Sequence, residues 1–172
     1  MGDSRGYDLW AQRIAGGDWL GHDVFYQAPL YPYFLGTIYA LTGRDLVVVR
    51  LVQALVGSIS CVFLGLAARQ LWSRPAGMAA GLMLALYAPA IFFDGLFQKT
   101  VLDVFFVCVS LWLISLLLTA DSRGAPPTSG TWLWLGLAMG GLALTRENAM
   151  VFIAVLLGWI GVRRFGGSTL RP

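Results

Sequence analysis

Residues 46–71 are twenty-six consecutive positions whose only charges are Arg50 and Arg69, one near each end. A helix spanning the hydrocarbon core of a bilayer needs about 20 such residues, so this run restricts the chain more than any other feature. Shorter apolar runs follow at 76–93, 96–118, 132–144 and 149–162. With 58% apolar and 12% charged residues, the chain lies far from soluble domains, where about a quarter of residues are charged. The expected fold is an all-α integral membrane protein, a helical bundle of about five transmembrane helices. The formal charge of +3 does not point to nucleic acid, because the basic residues sit in short clusters between apolar runs, as in loops that orient a membrane protein. Cys61 and Cys108 both lie inside apolar runs, which reads as packing and not as a disulfide or metal site.

The first forty-five residues form the one long part that cannot sit in a bilayer, with Asp3, Asp8, Asp18, Asp23 and Asp45 among Arg5, Arg13 and Arg44. Tyr7, Trp10, Ala11 and Ile14 recur at helical spacing opposite Asp8, Gln12 and Arg13, which predicts a short amphipathic helix in the membrane interface, ended by Gly16-Gly17. His22 reads as a solvated loop residue. Pro29 and Pro32 predict an extended lead-in to a second, aromatic helix carrying Tyr33, Phe34, Ile38, Tyr39 and Leu41 and closed by Gly43. The expected layout is an interfacial segment over 1–45 with juxtamembrane helices, a transmembrane bundle over 46–164 and a cytoplasmic tail over 165–172.

Within the bundle, Arg50, Gln53, Gly57, Cys61 and Gly65 fall on one face at spacings of three and four, so that face should meet other helices and not lipid. Lys99 and Asp103 stand four apart, as an internal ion pair would, or as a cation for an anionic ligand steadied by Asp94 or Asp103. The last two apolar runs flank Arg146-Glu147-Asn148 and are too short to span alone, so this turn is expected to be sunk inside the protein. Arg69, Arg74, Arg123, Arg163, Arg164 and Arg171 gather in short loops on one side with Asp121 as their only acid, which marks that side as cytoplasmic. The N-terminal segment, the 94–103 region and the Arg146 turn then share the outer face.

Ionisable residues at membrane depth are costly and mark functional sites by default. A carboxylate such as Asp3 suits a general base toward a hydroxyl or amine, and Arg50, Lys99 and Arg146 suit the phosphate of a lipid at headgroup depth. A network of ion pairs that only fixes helix register stays open as the alternative. So does a small transporter or a non-enzymatic scaffold or binding subunit, although there is no internal repeat of the kind transporters carry.

Asp3-Ser4-Arg5-Gly6-Tyr7, the Gly17-Asp18-Trp19 turn, the Pro29-Leu30-Tyr31-Pro32-Tyr33 run and Leu144-Thr145-Arg146 together resemble the N-terminal half of polyprenyl- and dolichyl-phosphate-sugar-dependent glycosyltransferases of the GT-C fold, the group of glycosyltransferase family 39 with the protein mannosyltransferases and the bacterial aminoarabinose transferases. The resemblance implies transfer of a sugar, with inversion, from a polyprenyl-phosphate carrier to a protein, lipid or glycan acceptor. It places the site on the extracytoplasmic face of a bacterial inner membrane. Asp3 matches the acidic base of the first outer loop, while Ser4 stands where a glutamate is common and Gln27-Ala28 precede Pro29 where relatives carry lysine. Carrier and sugar binding are expected from Arg5, Tyr7, Gln27 and Tyr31 in the first segment, from Arg50, and from Asp94, Gln98, Lys99 and Asp103 around the third span. Arg146, Glu147 and Asn148 complete that set. No cofactor is implied, with a divalent metal left open by distant members of the fold. Such proteins are far longer and place a helix before the acidic loop, so the chain reads as an N-terminal piece of a longer transferase.

Overall fold

The computed structural model describes residues 2–20, 28–122, 128–146 and 148–166, and their side chains except at positions 2, 3, 160 and 162–166. Eight helices account for nearly all of the described residues: α1 (Gly2–Ala15), α2 (Leu30–Thr42), α3 (Leu46–Leu71), α4 (Arg74–Ala85), α5 (Ala88–Asp94), α6 (Thr100–Ser122), α7 (Ser129–Thr145) and α8 (Ala149–Gly166). The all-helical membrane architecture expected from the sequence is therefore present, and α3 has the bounds of the first predicted span.

The sequence sets the ends of α3 locally. Asp45 is its N-cap, accepting from the Val47 and Val48 amides at 2.8 and 3.4 Å, so a carboxylate neutralises orphan donors where the helix dipole is positive. Gly43, at φ 76°, ends α2 just before it, a conformation that glycine adopts without steric cost. Ser73 caps α4 in turn, accepting from the Ala76 amide at 3.3 Å.

The predicted 76–93 span is not continuous. It is split into α4 and α5, bent by 53°, because the ring of Pro89 would collide with the Ala85 carbonyl four residues earlier in an unbroken helix. The third span also begins later than expected, at Thr100 and not near 96, so Gln98 and Lys99 lie in the turn ahead of α6. Among the described residues two helices, α3 and α6, are long and apolar enough to cross a membrane, the bent α4–α5 pair makes a third, and α7 and α8 add further apolar helices. The 17 residues of α7 cover about 26 Å at 1.5 Å per residue, short of a hydrocarbon core of about 30 Å.

Around α3 the helices pack through small residues, as the predicted small and polar face requires. Gly65 lies against the Gly77 and Gly81 backbone and Gly81 against the Cys61 carbonyl, so α3 and α4 run antiparallel at close approach. On its other side α3 meets α6, with Phe63 against Phe105 and Trp112. Beyond α6 comes α7, seated where the Phe106 ring fills the space a side chain at Gly141 would need, and Leu113, Leu117, Leu135, Ala138 and Met139 form the core of that seam.

The two N-terminal helices close one end of this array. Tyr7 and Ala11 of α1 and Tyr31, Leu35, Ile38 and Tyr39 of α2 share a core with Val49 of α3 and Val101 and Leu102 of α6. Ile14 packs directly on Gly36. The apolar face of α1, read from the sequence as lying in the membrane interface, is thus covered by α2. Tyr31 is helical and precedes Pro32, so the extended lead-in expected from the two prolines is absent there. Pro29 itself has helical angles, and Pro32 sits in the first turn, where no amide is missed.

Candidate functional site

The end of the array capped by α1 and α2 carries most of the described polar side chains, and packing divides them into separate groups. The central one is built on Gln53, fully buried in the second turn of α3. Its Nε2 donates to the carbonyl oxygens of Asp94 and Leu96, both at 2.8 Å, and its Oε1 accepts from the Tyr31 hydroxyl at 3.1 Å. One amide therefore ties α2, α3 and the turn after α5 together, as a buried amide must if its desolvation is to be offset. Burial raises the Tyr31 phenol well above its ordinary pKa. Tyr7 meets Tyr31 edge to face at 5.1 Å. Through Gln53, Tyr31 thus helps to hold the turn that leads into Gln98 and Lys99.

Beside that group opens a cavity of about 600 Å³ between α3, the α4–α5 bend and α6. Its wall is largely apolar, from Val47, Leu51, Ala54, Leu84, Ile91 and Val104, and two charged residues line it, Arg50 and Asp94. The Arg50 guanidinium lies 6.0 Å from the centre of the Phe97 ring, within cation–π range. The Asp94 carboxylate rests against Gly57, where a Cβ would collide with it. This explains the glycine on the face of α3 singled out from the sequence: it makes room for an acid.

A second pair stands on the α7 side. The Asp103 carboxylate accepts from Arg146 Nε at 2.6 Å through Oδ2, and the arginine side chain is 53% exposed against 10% for the aspartate. Asp103 Oδ1 is buried with no partner. The Lys99–Asp103 pair expected from spacing does not form. Lys99 precedes α6 as its cap, its carbonyl accepting from the Asp103 amide at 3.1 Å, so its side chain is off the helical ladder that i,i+4 pairing assumes.

A third group ties α1 to α2. Asp8 accepts from Arg44 Nε and Nη2 at 3.1 and 2.8 Å, from the Tyr39 hydroxyl at 2.8 Å and from Gln12 at 3.0 Å. The Arg44 hydrogen bond, above all, holds the Asp8 carboxyl below its usual value, while burial lifts the Tyr39 phenol and keeps it a donor. Sequence reasoning placed Asp8 only on a polar face and missed the cluster. The i,i+4 spacing of Asp8 and Gln12 was visible, but the bidentate partner lies 36 residues away.

Of the other residues named from the sequence, Arg5 is exposed on α1 and Asn148 is exposed in the turn before α8. The Asp3 side chain, Gln27, Glu147 and His22 lie outside what the structure describes. Arg50 and Asp94 line one cavity, and Asp103 and Arg146 form one ion pair. Cys61 and Cys108 are free thiols. Among the described residues no group of three His, Cys, Asp or Glu is placed to hold a metal ion. A family model described as dolichyl-phosphate-mannose-protein mannosyltransferase matches residues 26–170. No curated protein and no solved structure matches the chain significantly.

Proposed function

The chain belongs to the dolichyl-phosphate-mannose-protein mannosyltransferase family, a family of membrane glycosyltransferases that draw on a lipid-phosphate-linked sugar, and on that premise we propose that it forms the donor side of a site transferring a sugar from a polyprenyl-phosphate carrier to an acceptor on the extracytoplasmic face of a bacterial inner membrane. The observation that carries this reading is the cavity between α3 and the α4–α5 bend, apolar along its wall with Arg50 and Asp94 facing it. Such a groove suits a prenyl chain lying along hydrocarbon with its phosphate at the arginine, where a guanidinium gives charge-assisted hydrogen bonds to phosphate oxygens. Lys99 and Arg146 are further cations at the same end of the helices, and Asp103 fixes the Arg146 guanidinium through Nε, leaving the Nη atoms for other acceptors.

In the proposed reaction the acceptor hydroxyl or amine attacks the anomeric carbon from the side opposite the phosphate. The bond from that carbon to the phosphate oxygen breaks with its electron pair, releasing polyprenyl phosphate and inverting the anomeric centre. Asp3 takes the acceptor proton as general base, and the cations neutralise the charge that develops on the leaving phosphate. Tyr7, Tyr31 and Gln98, with Arg5, Gln27, Glu147 and Asn148, are the proposed surroundings of donor and acceptor.

Carrier binding tests the assignment without knowledge of the sugar or acceptor. Polyprenyl-phosphate affinity should fall about tenfold or more in Arg50→Ala, on the scale of one hydrogen bond to a charged group, with smaller losses in Lys99→Ala and Arg146→Ala. Unchanged affinity in all three variants removes the phosphate site from this end of the molecule.

A further inference from the structure

At Cys61 and Ala85 the donor-side cavity meets a second one, about 590 Å³, that continues along the same α3–α4 seam toward the opposite end of the helices. Gly65, Gly77 and Gly81, where the backbones of α3 and α4 touch, form the floor of this trough, and Leu66, Met78 and Leu82 line it. Arg69, in the last turn of α3, and Arg74, in the first turn of α4, line its far end. Both arginines are exposed, no carboxylate lines the cavity, and among the described residues neither forms an ion pair. Eight residues of α3 separate Arg69 from Cys61, about 12 Å at 1.5 Å per residue, so the trough runs from the helix ends toward mid-membrane.

From this geometry we infer that the trough formed by Gly65, Gly77 and Gly81, with Arg69 and Arg74 at its mouth, is a binding site for an anionic phospholipid in the leaflet opposite the proposed transferase site. Charge selects the occupant. Two unpaired guanidiniums at headgroup depth favour a phosphate diester with net negative charge over a zwitterionic headgroup, and basic pockets between transmembrane helices are where anionic headgroups dock. The apolar trough takes one acyl chain, and a helix surface in hydrocarbon leaves no water to fill it. The α4 N-terminus, pointing at the same place, adds the positive end of its dipole. The arginines and glycines of this site play no part in the proposed function, so either reading can fail alone. Because the two cavities share Cys61 and Ala85, the lipid chain ends where the proposed carrier chain ends, and the two fill one continuous seam of α3 from opposite leaflets.

Native mass spectrometry of the full chain, purified in detergent and supplied with phosphatidylglycerol or phosphatidylcholine of identical acyl chains, tests this. The wild type should retain one phosphatidylglycerol in preference to phosphatidylcholine, and R69Q/R74Q should lose about twenty-fivefold of that preference, some fivefold per arginine. Phosphatidylglycerol should raise the thermal midpoint of the wild type and leave that of R69Q/R74Q unmoved. If the double variant does not fold, R69Q and R74Q singly should each lose about fivefold. Equal retention of the two lipids by the wild type, or an undiminished preference in the variants, overturns the assignment. So does a loss of polyprenyl-phosphate binding in R69Q/R74Q with phosphatidylglycerol unaffected, which would seat the carrier in this trough instead.

Discussion

Asp8 shows how much a single carboxylate decides at the capped end. It gathers three side chains, from Gln12, Tyr39 and Arg44, and a carboxyl held below its ordinary value stabilises the folded state only while ionised. That contribution is full above the unfolded value of about 3.9 and is lost as pH falls through the lower folded value. Arg44→Gln removes the largest cause of the shift, so the folded value rises and the loss should reach its midpoint and completion at higher pH in the variant than in the wild type. Amide hydrogen exchange of α1 across an acid titration checks this, and coincident midpoints contradict it. Asp103 teaches the complementary lesson. Its spacing from Lys99 pointed to a local pair, yet its partner is Arg146, 43 residues on, since a residue ahead of a helix does not share that helix's periodicity. Polar partners so far apart in sequence leave no local pattern, and for that reason the groups at the site were legible as residue types but not as pairs.

Among the elements, α3 was the most legible and the α4–α5 pair the least. The bounds of α3 follow from Asp45 ahead of an apolar run and from Arg69 near its end, signals that need no tertiary knowledge. Its glycines were legible as a contact face. What faces each of them was not: Gly57 makes room for a carboxylate, and Gly65 for another helix backbone. The break after Ala85 was missed because hydropathy is blind to Pro89, which keeps the run apolar while forbidding a straight helix. Close backbone approach gives a prediction at this scale. A Cβ at Gly77 would lie 2.6 Å from the Gly65 carbonyl oxygen, whereas one at Gly136 meets nothing within 4 Å. Gly77→Ala should therefore cost about 1–3 kcal/mol as overpacking, while Gly136→Ala should be neutral or stabilise by up to about 1 kcal/mol through helix propensity. Equilibrium unfolding of both in detergent compares them, and equal effects would contradict the packing of α3 on α4.

At the scale of the molecule, the array is built around α3. One end of that helix supports the capped, polar region through Gln53, its flank lines the proposed carrier groove, and its far end opens on the arginine-lined trough. Under the proposed function, this arrangement would set a lipid-borne donor in the groove beside the polar, capped end of the helices, where an acceptor would meet it. The most direct measurement is release of polyprenyl phosphate from polyprenyl-phosphate-mannose by the complete gene product in its native membranes, which supply the acceptor, comparing wild type with Asp3→Asn. Loss of a general base removes about a hundredfold or more of the rate, so the account predicts at least that drop with unchanged protein level and thermal midpoint. Turnover by Asp3→Asn equal to that of the wild type would contradict it.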